Sequence, residues 1–386
     1  MRRICFFTGT RAEYGQLSNL MRMVNNDPNC ELQIIATNMH LSPEFGLTYK
    51  EIEEDGFHIN KKVEMLLSSE TANGTVKSMG LATIGFADAL EDLKPDIAVI
   101  LGDRYEMLAA AQACLIYKVP IAHLYGGEIT EGAYDDAIRH AITKLSHLHF
   151  TDTEEYRQHV IQMGEQPNHV YYVGSLGVYN MLHEELMPQD ILEQSLNFKL
   201  GEKYLLITFH PVTMEQNTAA SQCDILLKAL SEINNEYKLL FTLPNSDTDG
   251  RVIISKINEY VSLNPNHAYA VPSLGRKRYH SALKYAKAVV GNSSSGLIEA
   301  PSFHIPTLNV GDRQKGRTRG NSIIDVQMNL DAIRIGLQKV LSLEFKEITS
   351  KSINPYEKVG TLENIFKVVK SFPLGELVCK KFYKII

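Results

Sequence analysis

The sequence predicts an α/β protein with two Rossmann-like domains, each built on a largely parallel sheet, and with a ligand-binding cleft between the domains. Three observations predict this fold. Short apolar runs recur along the whole chain, and each ends in a polar or glycine-containing turn. Segments with the helical spacing of apolar residues lie between these runs. The length of 386 residues exceeds what one hydrophobic core usually holds.

The apolar runs have the length and composition of buried parallel strands, which are apolar on both faces. In the first half they cover Ile4–Phe7, Ile34–Ile35, Ile97–Leu101, Pro120–Leu124, His147–Phe150 and Val170–Val173. In the second half they cover Tyr204–Thr208, Leu239–Leu243, Ala268–Val271, Ala288–Val290, Pro306–Val310 and Ile323–Val326. The intervening helical patterns include Leu17, Leu20, Met21 and Val24, then Ile138, Ile142 and Leu145, then Ile225, Leu226, Leu230 and Ile233. This alternation indicates right-handed βαβ units in each half.

The polar and acidic stretch between Gly174 and Gly201 is the predicted boundary between the domains. We therefore expect a first domain over residues 1–180 and a second domain over residues 181–370. Pro373 and Gly375 interrupt a helical pattern near the end of the chain. Residues 371–386 are predicted to form a C-terminal helix that packs back on the first domain.

Composition argues against several classes of protein. The formal net charge of −6 does not suit a dedicated nucleic-acid binder. The five cysteines are scattered without a C-x-x-C pair, which is typical of reduced residues in a cytosolic protein. Neither a signal peptide nor a transmembrane stretch is recognisable. We expect a cytoplasmic protein without membrane association.

Charged residues in the turns of the first domain are candidates for ligand binding, because ligands of open α/β sheets bind beyond the carboxyl ends of the strands. The turn that carries Arg11 lacks G-x-G-x-x-G, which argues against a nicotinamide cofactor. Its arginine suits a phosphate, although it could also be a solvated residue at a helix start. Asp103 and Arg104 follow the third run and could bind a ligand or form a simple ion pair.

Three carboxylates are expected to converge at this edge of the first sheet. Glu128 follows a pair of glycines, which allow a ligand to approach the backbone closely. Asp135 opens a predicted helix, and Arg139 lies one turn further along it. Capping of the helix would explain one acidic residue. The convergence of Asp103, Glu128 and Asp135 would instead suit acid–base chemistry on a sugar ring.

The turns of the second domain carry a histidine, a serine loop and a cationic loop. Pro211 favours an extended conformation for His210, which we expect to face the cleft rather than to be purely structural. Ser293 and Ser294 lie in a small-residue loop between a strand and a helix, which can bind an anion or cap the helix. Arg313 lies in a loop with four cations, for which a diphosphate is the better partner than nucleic acid.

Asp247-Thr248-Asp249 matches the D-x-D pattern that holds a divalent ion in some sugar-nucleotide transferases. The pattern lies in a Pro-Asn-Ser-Asp-Thr-Asp-Gly stretch, where these residues are expected in a turn. We therefore expect no metal requirement.

Taken together, these turns resemble the hydrolysing UDP-N-acetylglucosamine 2-epimerase family. The resemblance spans roughly residues 8–325 and is carried by TGTRAEYG, GDRYE, GGE, DDAIRHAITKLSHLH, FHPVT, GNSSSGLIEAPS and GDRQKGR. It implies a GT-B-like fold with the active site between two Rossmann-like domains. It also implies release of UDP with loss of the C2 proton to give 2-acetamidoglucal, and then hydration to N-acetylmannosamine, in sialic acid biosynthesis. The resemblance implies no redox cofactor for this reaction.

The resemblance further implies roles for individual residues. The catalytic candidates are Asp103, Glu128, Asp135 and, as an acid at the diphosphate, His210. The candidates for binding UDP or the sugar are Arg11, Arg104, Arg139, Ser293, Ser294, Glu299 (toward the ribose hydroxyls) and Arg313. The expected partners are a small UDP-sugar substrate and the product UDP. Relatives are usually homodimers or homotetramers, and we expect the same here.

One departure from the family leaves the substrate open. Several relatives carry glutamate where this chain has Tyr125. The alternative substrate is UDP-N,N'-diacetylbacillosamine, on the way to legionaminic acid, because enzymes acting on it have overlapping motifs. A UDP-sugar glycosyltransferase or a non-catalytic sugar-nucleotide sensor is less favoured, since neither needs three clustered carboxylates.

Overall fold

The computed structural model describes residues 1–67, 71–130, 134–211, 218–244, 248–376 and 380–384, with the side chains of residues 248, 249 and 376 excepted. The chain divides into two compact units. The first unit comprises Met1–Asn180 and Lys358–Ile386, and the second comprises Met181–Glu357. Each unit contains one parallel sheet with helices between its strands. The predicted α/β class with two Rossmann-like domains is confirmed.

The first unit has a seven-stranded sheet in the order β3-β2-β1-β4-β5-β6-β7. Its strands are β1 (Arg2–Thr8), β2 (Cys30–Thr37), β3 (Lys61–Val63), β4 (Ile97–Leu101), β5 (Ile121–Leu124), β6 (Leu148–Thr151) and β7 (Val170–Tyr172). Its helices are α1 (Arg11–Asn25), α2 (Tyr49–Glu54), α3 (Ala72–Leu93), α4 (Tyr105–Ile116), α5 (Tyr134–Leu145), α6 (Glu154–Gln162) and α7 (Leu176–His183), within which the division between the units falls.

The second unit has a six-stranded sheet in the order β10-β9-β8-β11-β12-β13. Its strands are β8 (Tyr204–Thr208), β9 (Lys238–Thr242), β10 (Ala268–Val271), β11 (Ala288–Gly291), β12 (Thr307–Val310) and β13 (Ile323–Val326). Its helices are α8 (Gln189–Leu196), α9 (Ala219–Ser231), α10 (Thr248–Leu263), α11 (Gly275–Tyr285), α12 (Ser295–Ile298), α13 (Leu330–Val340) and α14 (Leu343–Ser350).

All twelve predicted strands are present, and their burial explains why short apolar runs in the sequence predicted them. All five residues of β4 and all five of β8 are buried, as expected for strands covered on both faces. The strand without a predicted counterpart is β3, whose sequence Lys-Lys-Val is short and polar. It lies at the edge of the sheet and pairs with β2 alone, so its first two residues are not buried. For this reason no apolar run marks β3 in the sequence.

Helix α1 shows how local sequence signals fix an element. Thr10 caps the helix and forms a reciprocal capping box with Glu13. The predicted apolar face, from Leu17 to Val24, is buried in the core beneath β1 and β2. Among the described residues, no helix has both the length and the apolar character needed to cross a membrane.

The end of the chain differs from the predicted C-terminal helix. The chain returns to the first unit at Lys358, not at residue 371, and helix α15 (Thr361–Ser371) buries Leu362, Ile365 and Val369 in the core of that unit. These three positions form the apolar face that anchors the segment. Residues 380–384 lie outside any helix.

These last residues nevertheless contact the first unit closely. The Lys380 ammonium donates to three carbonyl oxygens at the end of α5 and pairs with Glu165 at 2.8 Å. Glu165 is buried, and it also pairs with Lys144 and His149. Burial alone would raise the pKa of Glu165, but these hydrogen bonds and charges lower it to about 2.

Candidate active site

Each sheet has a point at which the strand order reverses, and the predicted site residues follow the strands there. In the first unit, β2 and β4 lie on opposite sides of β1, so the reversal lies between β1 and β4. In the second unit it lies between β8 and β11. Such points form crevices at the carboxyl ends of the strands. Arg11 and Asp103 follow the first pair of strands, and His210 and Ser293 follow the second.

The turn after β1 is held by the capping box and leaves Arg11 at the surface. The backbone N–H groups of Gly9 and Thr10 donate to the Glu13 carboxylate at 2.8 and 3.2 Å. The Arg11 side chain is 65% exposed, and its Nε lies 3.2 Å from the carboxylate of Glu51. A surface pair of this kind contributes little to stability, so the guanidinium can exchange its partner for a ligand at low cost.

The turn after β4 brings Asp103 and Arg104 to the same edge of the sheet. Gly102 adopts a φ of +81°, which only glycine takes readily, and this conformation allows the sharp change of direction after the strand. The Nε of Arg104 lies 2.6 Å from Glu106 Oε1 and 3.8 Å from Glu13 Oε1. Arg104 therefore connects the turn after β4 with the turn after β1.

Arg139 organises the predicted carboxylates. Its side chain is 3% exposed and forms ion pairs with Asp103 and with Asp136. One of its terminal nitrogens also donates to the backbone carbonyl of Glu128 at 2.9 Å and to the Thr130 hydroxyl at 3.3 Å. One buried guanidinium thus links the turns after β4 and β5 to helix α5.

Asp135 lies in the first turn of α5, near the same cluster. Burial raises the pKa of its carboxyl group, and the negative charge of Asp103 raises it further. Glu128 is 7% exposed. The structure therefore brings Asp103, Glu128 and Asp135 into one region, in which Arg139 is a shared structural partner of the first two.

The Tyr125 side chain has a structural role in the first unit. It has a φ of +69°, which is unusual for a residue other than glycine. Its hydroxyl donates to Gln16 Oε1 at 2.5 Å and accepts from the N–H of Gly177 at 3.2 Å. These partners belong to α1 and α7. The tyrosine hydroxyl therefore joins β5 to two helices of the first unit.

In the second unit, Asn292 ties the ends of three strands together. Its side-chain amide accepts from the backbone N–H of His210 at 2.7 Å and donates to the His210 carbonyl at 2.8 Å. Its own backbone carbonyl accepts from Arg313 at 3.0 Å and from Gln314 at 2.9 Å. His210, a predicted catalytic residue, and Arg313, a predicted binding residue, are thereby both held by one buried asparagine.

The serine loop does not cap the following helix in the usual way. Ser294 is the N-cap of α12, but its side chain makes no capping hydrogen bond. The Ser293 hydroxyl accepts from the Ser295 N–H at 3.4 Å. Capping therefore does not explain why serine occupies position 294.

Glu299 lies at the end of α12 in a hydrogen-bonded chain. Its carboxylate accepts from the Ser295 hydroxyl at 2.6 Å, and that hydroxyl accepts from Tyr279 at 2.7 Å. On the other side, His280 lies between Glu299 at 3.7 Å and Glu184 at 2.9 Å. Burial alone would lower the pKa of His280, but the two carboxylates raise it.

Some residues of these clusters were not predicted from the sequence. Asn292 stood inside the recognised serine motif, but nothing in its spacing indicated that its amide would hold His210. Glu13 follows Thr10 by three residues, which is a sequence signature of a capping box. Glu106 is fully buried, and its burial beside Arg104 could not be read from local sequence. Asp247 and the side chains of the D-x-D pattern lie outside the described residues.

Comparison with known proteins places these features in a family. Residues 22–370 match the family described as UDP-N-acetylglucosamine 2-epimerase. The chain is similar to a Campylobacter jejuni protein named GDP/UDP-N,N'-diacetylbacillosamine 2-epimerase (hydrolyzing), with 46% identity over 90% of this chain and 89% of that protein. It is also similar to the Escherichia coli polysialic acid biosynthesis protein P7, with 38% identity over 96% of this chain and 94% of that protein.

A solved structure is similar in fold across nearly the whole chain. The UDP-GlcNAc 2-epimerase from Neisseria meningitidis bound to UDP-GlcNAc aligns with a TM-score of 0.79 and 17% identity. The alignment covers 96% of this chain and 99% of that protein. The predicted GT-B-like α/β fold is confirmed by this likeness.

Proposed function

Because the chain belongs to the UDP-N-acetylglucosamine 2-epimerase family, we propose that it is a hydrolysing 2-epimerase whose substrate is UDP-N,N'-diacetylbacillosamine. The single observation that carries this choice of substrate is the 46% identity with the Campylobacter jejuni enzyme named for that sugar. The products are UDP and 2,4-diacetamido-2,4,6-trideoxymannose. This substrate replaces UDP-N-acetylglucosamine, which the sequence motifs alone favoured.

The proposed reaction has two steps. In the first, the bond between C1 and the diphosphate oxygen breaks, a base takes the proton from C2, and a C1–C2 double bond forms. In the second, water adds to the glycal, with its oxygen bonding to C1 and a proton returning to C2 from the opposite face. The net change is hydrolysis with inversion at C2, and no electrons are transferred.

The carboxylate cluster supports this chemistry. The positive charge that develops at C1 requires nearby negative charge, and the C2 proton requires an acceptor. We assign these tasks collectively to Asp103, Glu128 and Asp135. The raised pKa of Asp135 suits a group that exchanges a proton, because it brings the carboxyl closer to neutral pH.

Arg139 has a different role from the predicted substrate contact. It is 3% exposed, and its donors are directed at Asp103, Asp136 and the backbone of Glu128. We therefore assign it as a positioning residue that fixes the carboxylates.

The remaining candidates suit the nucleotide. Arg11 and Arg104 carry positive charge at the edge of the first sheet, and Arg313 does so in the second unit. In this proposal they bind the diphosphate together with Ser293 and Ser294, and His210 protonates the departing UDP. Glu299 accepts hydrogen bonds from the ribose hydroxyls. No cofactor and no metal enters the proposed reaction.

A second candidate substrate is UDP-N-acetylglucosamine, which would place the enzyme in sialic acid biosynthesis. It is favoured by the 38% identity with the polysialic acid biosynthesis protein. The two sugars differ at C4, which carries an acetamido group or a hydroxyl, and at C6, which is a methyl group or a hydroxymethyl group. A pocket that fits one sugar should therefore discriminate against the other.

The experiment compares the two UDP-sugars and the GDP form of diacetylbacillosamine by measuring nucleotide release from each. We expect kcat/KM to be at least about tenfold higher with UDP-diacetylbacillosamine than with UDP-N-acetylglucosamine, since a polar group left without a hydrogen bond in the pocket costs about 1–3 kcal/mol. Faster turnover of UDP-N-acetylglucosamine would overturn the choice of substrate.

The catalytic assignment is tested separately with the better substrate. Asp103→Asn should abolish turnover and leave UDP binding, measured by calorimetry, nearly unchanged. Asp88→Asn, at an exposed position on α3, is the matched control and should retain full turnover. Unchanged turnover in Asp103→Asn would contradict the assignment.

A further inference from the structure

Two buried glutamates lie on one guanidinium beside the proposed catalytic carboxylates. Glu13, from the first turn of α1, is 6% exposed, and Glu106, from the first turn of α4, is fully buried. Both contact Arg104, whose Nε is 2.6 Å from Glu106 Oε1 and 3.8 Å from Glu13 Oε1. A single positive charge thus faces two buried acids.

One oxygen of each acid has no hydrogen-bond partner among the described residues. These atoms are Glu13 Oε1 and Glu106 Oε2. The other oxygen of Glu13 accepts from the N–H groups of Gly9 and Thr10. Two ionised carboxylates with unsatisfied buried oxygens would be costly, and one added proton would remove a charge and supply a missing donor.

The packing around the pair leaves no space for additional groups at Gly9. A Cβ atom built at Gly9 would lie 2.5 Å from Glu106 Oε1. The turn between β1 and α1 therefore lies directly against the Glu106 carboxylate. Any change in the charge of the pair acts on this turn, which carries Arg11.

We propose that Glu13 and Glu106 share a single proton, and that this acid–carboxylate pair positions Arg104 and the turn after β1 for binding the nucleotide sugar. The positioning role rests on the proposed function, whereas the shared proton does not. Neither glutamate is a catalytic residue in this proposal. They act through Arg104, which both contact, and through the turn after β1, which lies against Glu106.

The charges around the pair explain why a shared proton is needed. Arg104 is the cation in direct contact with it. From the turn after β2, His40 contributes no charge near neutral pH, because burial lowers its pKa to about 4. From the first turn of α5, Asp135 adds negative charge, and it interacts electrostatically with Glu106. Burial and the neighbouring Glu106 raise the pKa of Glu13 to about 8.

The pH dependence follows from this raised pKa. The unfolded chain releases the Glu13 proton near pH 4.5, whereas the folded protein keeps it up to about pH 8. The contribution of Glu13 to folding is therefore most favourable below pH 4.5 and is lost progressively as the pH rises to about 8. Above that value the folded protein carries a second negative charge beside Arg104.

The first test needs no substrate. The infrared spectrum of the wild-type protein at pH 6.5 to 7 should show the C=O band of a protonated carboxyl group. We expect Glu13→Gln to remove this band, and Glu106→Gln to remove it as well, because Arg104 then holds Glu13 ionised. Glu64→Gln, at an exposed position, is the control and should leave the band intact. A band that survives both substitutions would overturn the shared proton.

The second test is also independent of activity. The melting temperature of Glu13→Gln should exceed that of the wild-type protein by an amount that grows between pH 4.5 and 8. A lower melting temperature for Glu13→Gln at pH 8 would contradict the proposal.

The third test addresses the positioning role. Wild-type KM for the nucleotide sugar should rise above pH 8, whereas the KM of Glu13→Gln should not rise over the same pH range. The double variant Glu13→Gln/Glu106→Gln leaves Arg104 without an anionic partner, and its KM should increase at least about tenfold. If the infrared spectra match the expectation but KM changes neither with pH nor in the double variant, the pair shares a proton without positioning Arg104 and the turn after β1. If no nucleotide sugar is turned over, the proposed function fails, while the infrared result still decides the shared proton.

Discussion

Replacement of Arg139 by methionine tests the structural centre of the proposed site. Methionine keeps most of the side-chain volume but removes the ion pair with Asp103 and the hydrogen bond to the Glu128 carbonyl. Breaking a fully buried ion pair costs about 3–5 kcal/mol. Asp103 is 28% exposed, so water can hydrate the remaining carboxylate, and we take about 2 kcal/mol for this pair.

Loss of the hydrogen bond from Arg139 to the Glu128 carbonyl adds about 1 kcal/mol. The free energy of unfolding should therefore fall by about 3 kcal/mol. Arg139→Lys keeps the positive charge but loses the planar guanidinium with its several fixed donors, and it should lower the free energy of unfolding by about 1–2 kcal/mol. Far-UV circular dichroism during urea unfolding measures these differences, since the chain has no tryptophan for fluorescence. Turnover should fall at least about 100-fold in Arg139→Met because the carboxylates lose their alignment.

The double variant Arg139→Met/Asp103→Asn provides the control. It removes both partners, so its loss of stability should be smaller than the sum of the two single losses by about 2 kcal/mol. Additive losses, or a destabilisation below about 1 kcal/mol for Arg139→Met, would refute the reasoning that the pair holds the site together.

Three further changes test other contacts. Gly9→Ala should destabilise the protein by about 1–3 kcal/mol in urea unfolding, because its Cβ would lie 2.5 Å from Glu106; wild-type stability would contradict the tight packing. Gly291→Ala should cost more than about 3 kcal/mol and weaken UDP binding measured by calorimetry, since its Cβ would lie 2.0 Å from the Thr208 carbonyl at a φ of +135°. Glu165 has a pKa lowered to about 2, so the stability it adds is present above pH 4.5 and is lost as the pH falls toward 2. Glu165→Gln should therefore be about 3 kcal/mol less stable at pH 7, and the difference in melting temperature should vanish in acid; a difference independent of pH would be inconsistent with this account.

The fold was readable from the sequence because buried parallel strands leave a strong apolar signal. Strands such as β4 and β8 are covered on both faces, so nearly all of their residues are apolar. The edge strand β3 carries two lysines and left no such signal. The end of the chain was predicted less well, because the apolar face of α15 does not reveal which of two domains it covers.

The candidate site was predictable as a set of turns but not as a network. Asp103, Glu128 and Asp135 stood out because charged residues at strand ends are unusual. The ion pair of Arg139 joins helix α5 to Asp103, which lies 36 residues earlier in the chain, and no local pattern encodes such a contact. The burial of Glu106 depends in the same way on the start of α1, where Gly9 lies against Glu106 and Glu13 contacts Arg104.

Proton NMR of the purified protein with UDP-N,N'-diacetylbacillosamine in deuterated water tests the proposed reaction most directly. We predict free UDP together with a free sugar that has the manno configuration and carries deuterium at C2. Retention of the original proton at C2, or a product that keeps its bond to UDP, would contradict hydrolytic epimerisation through a glycal.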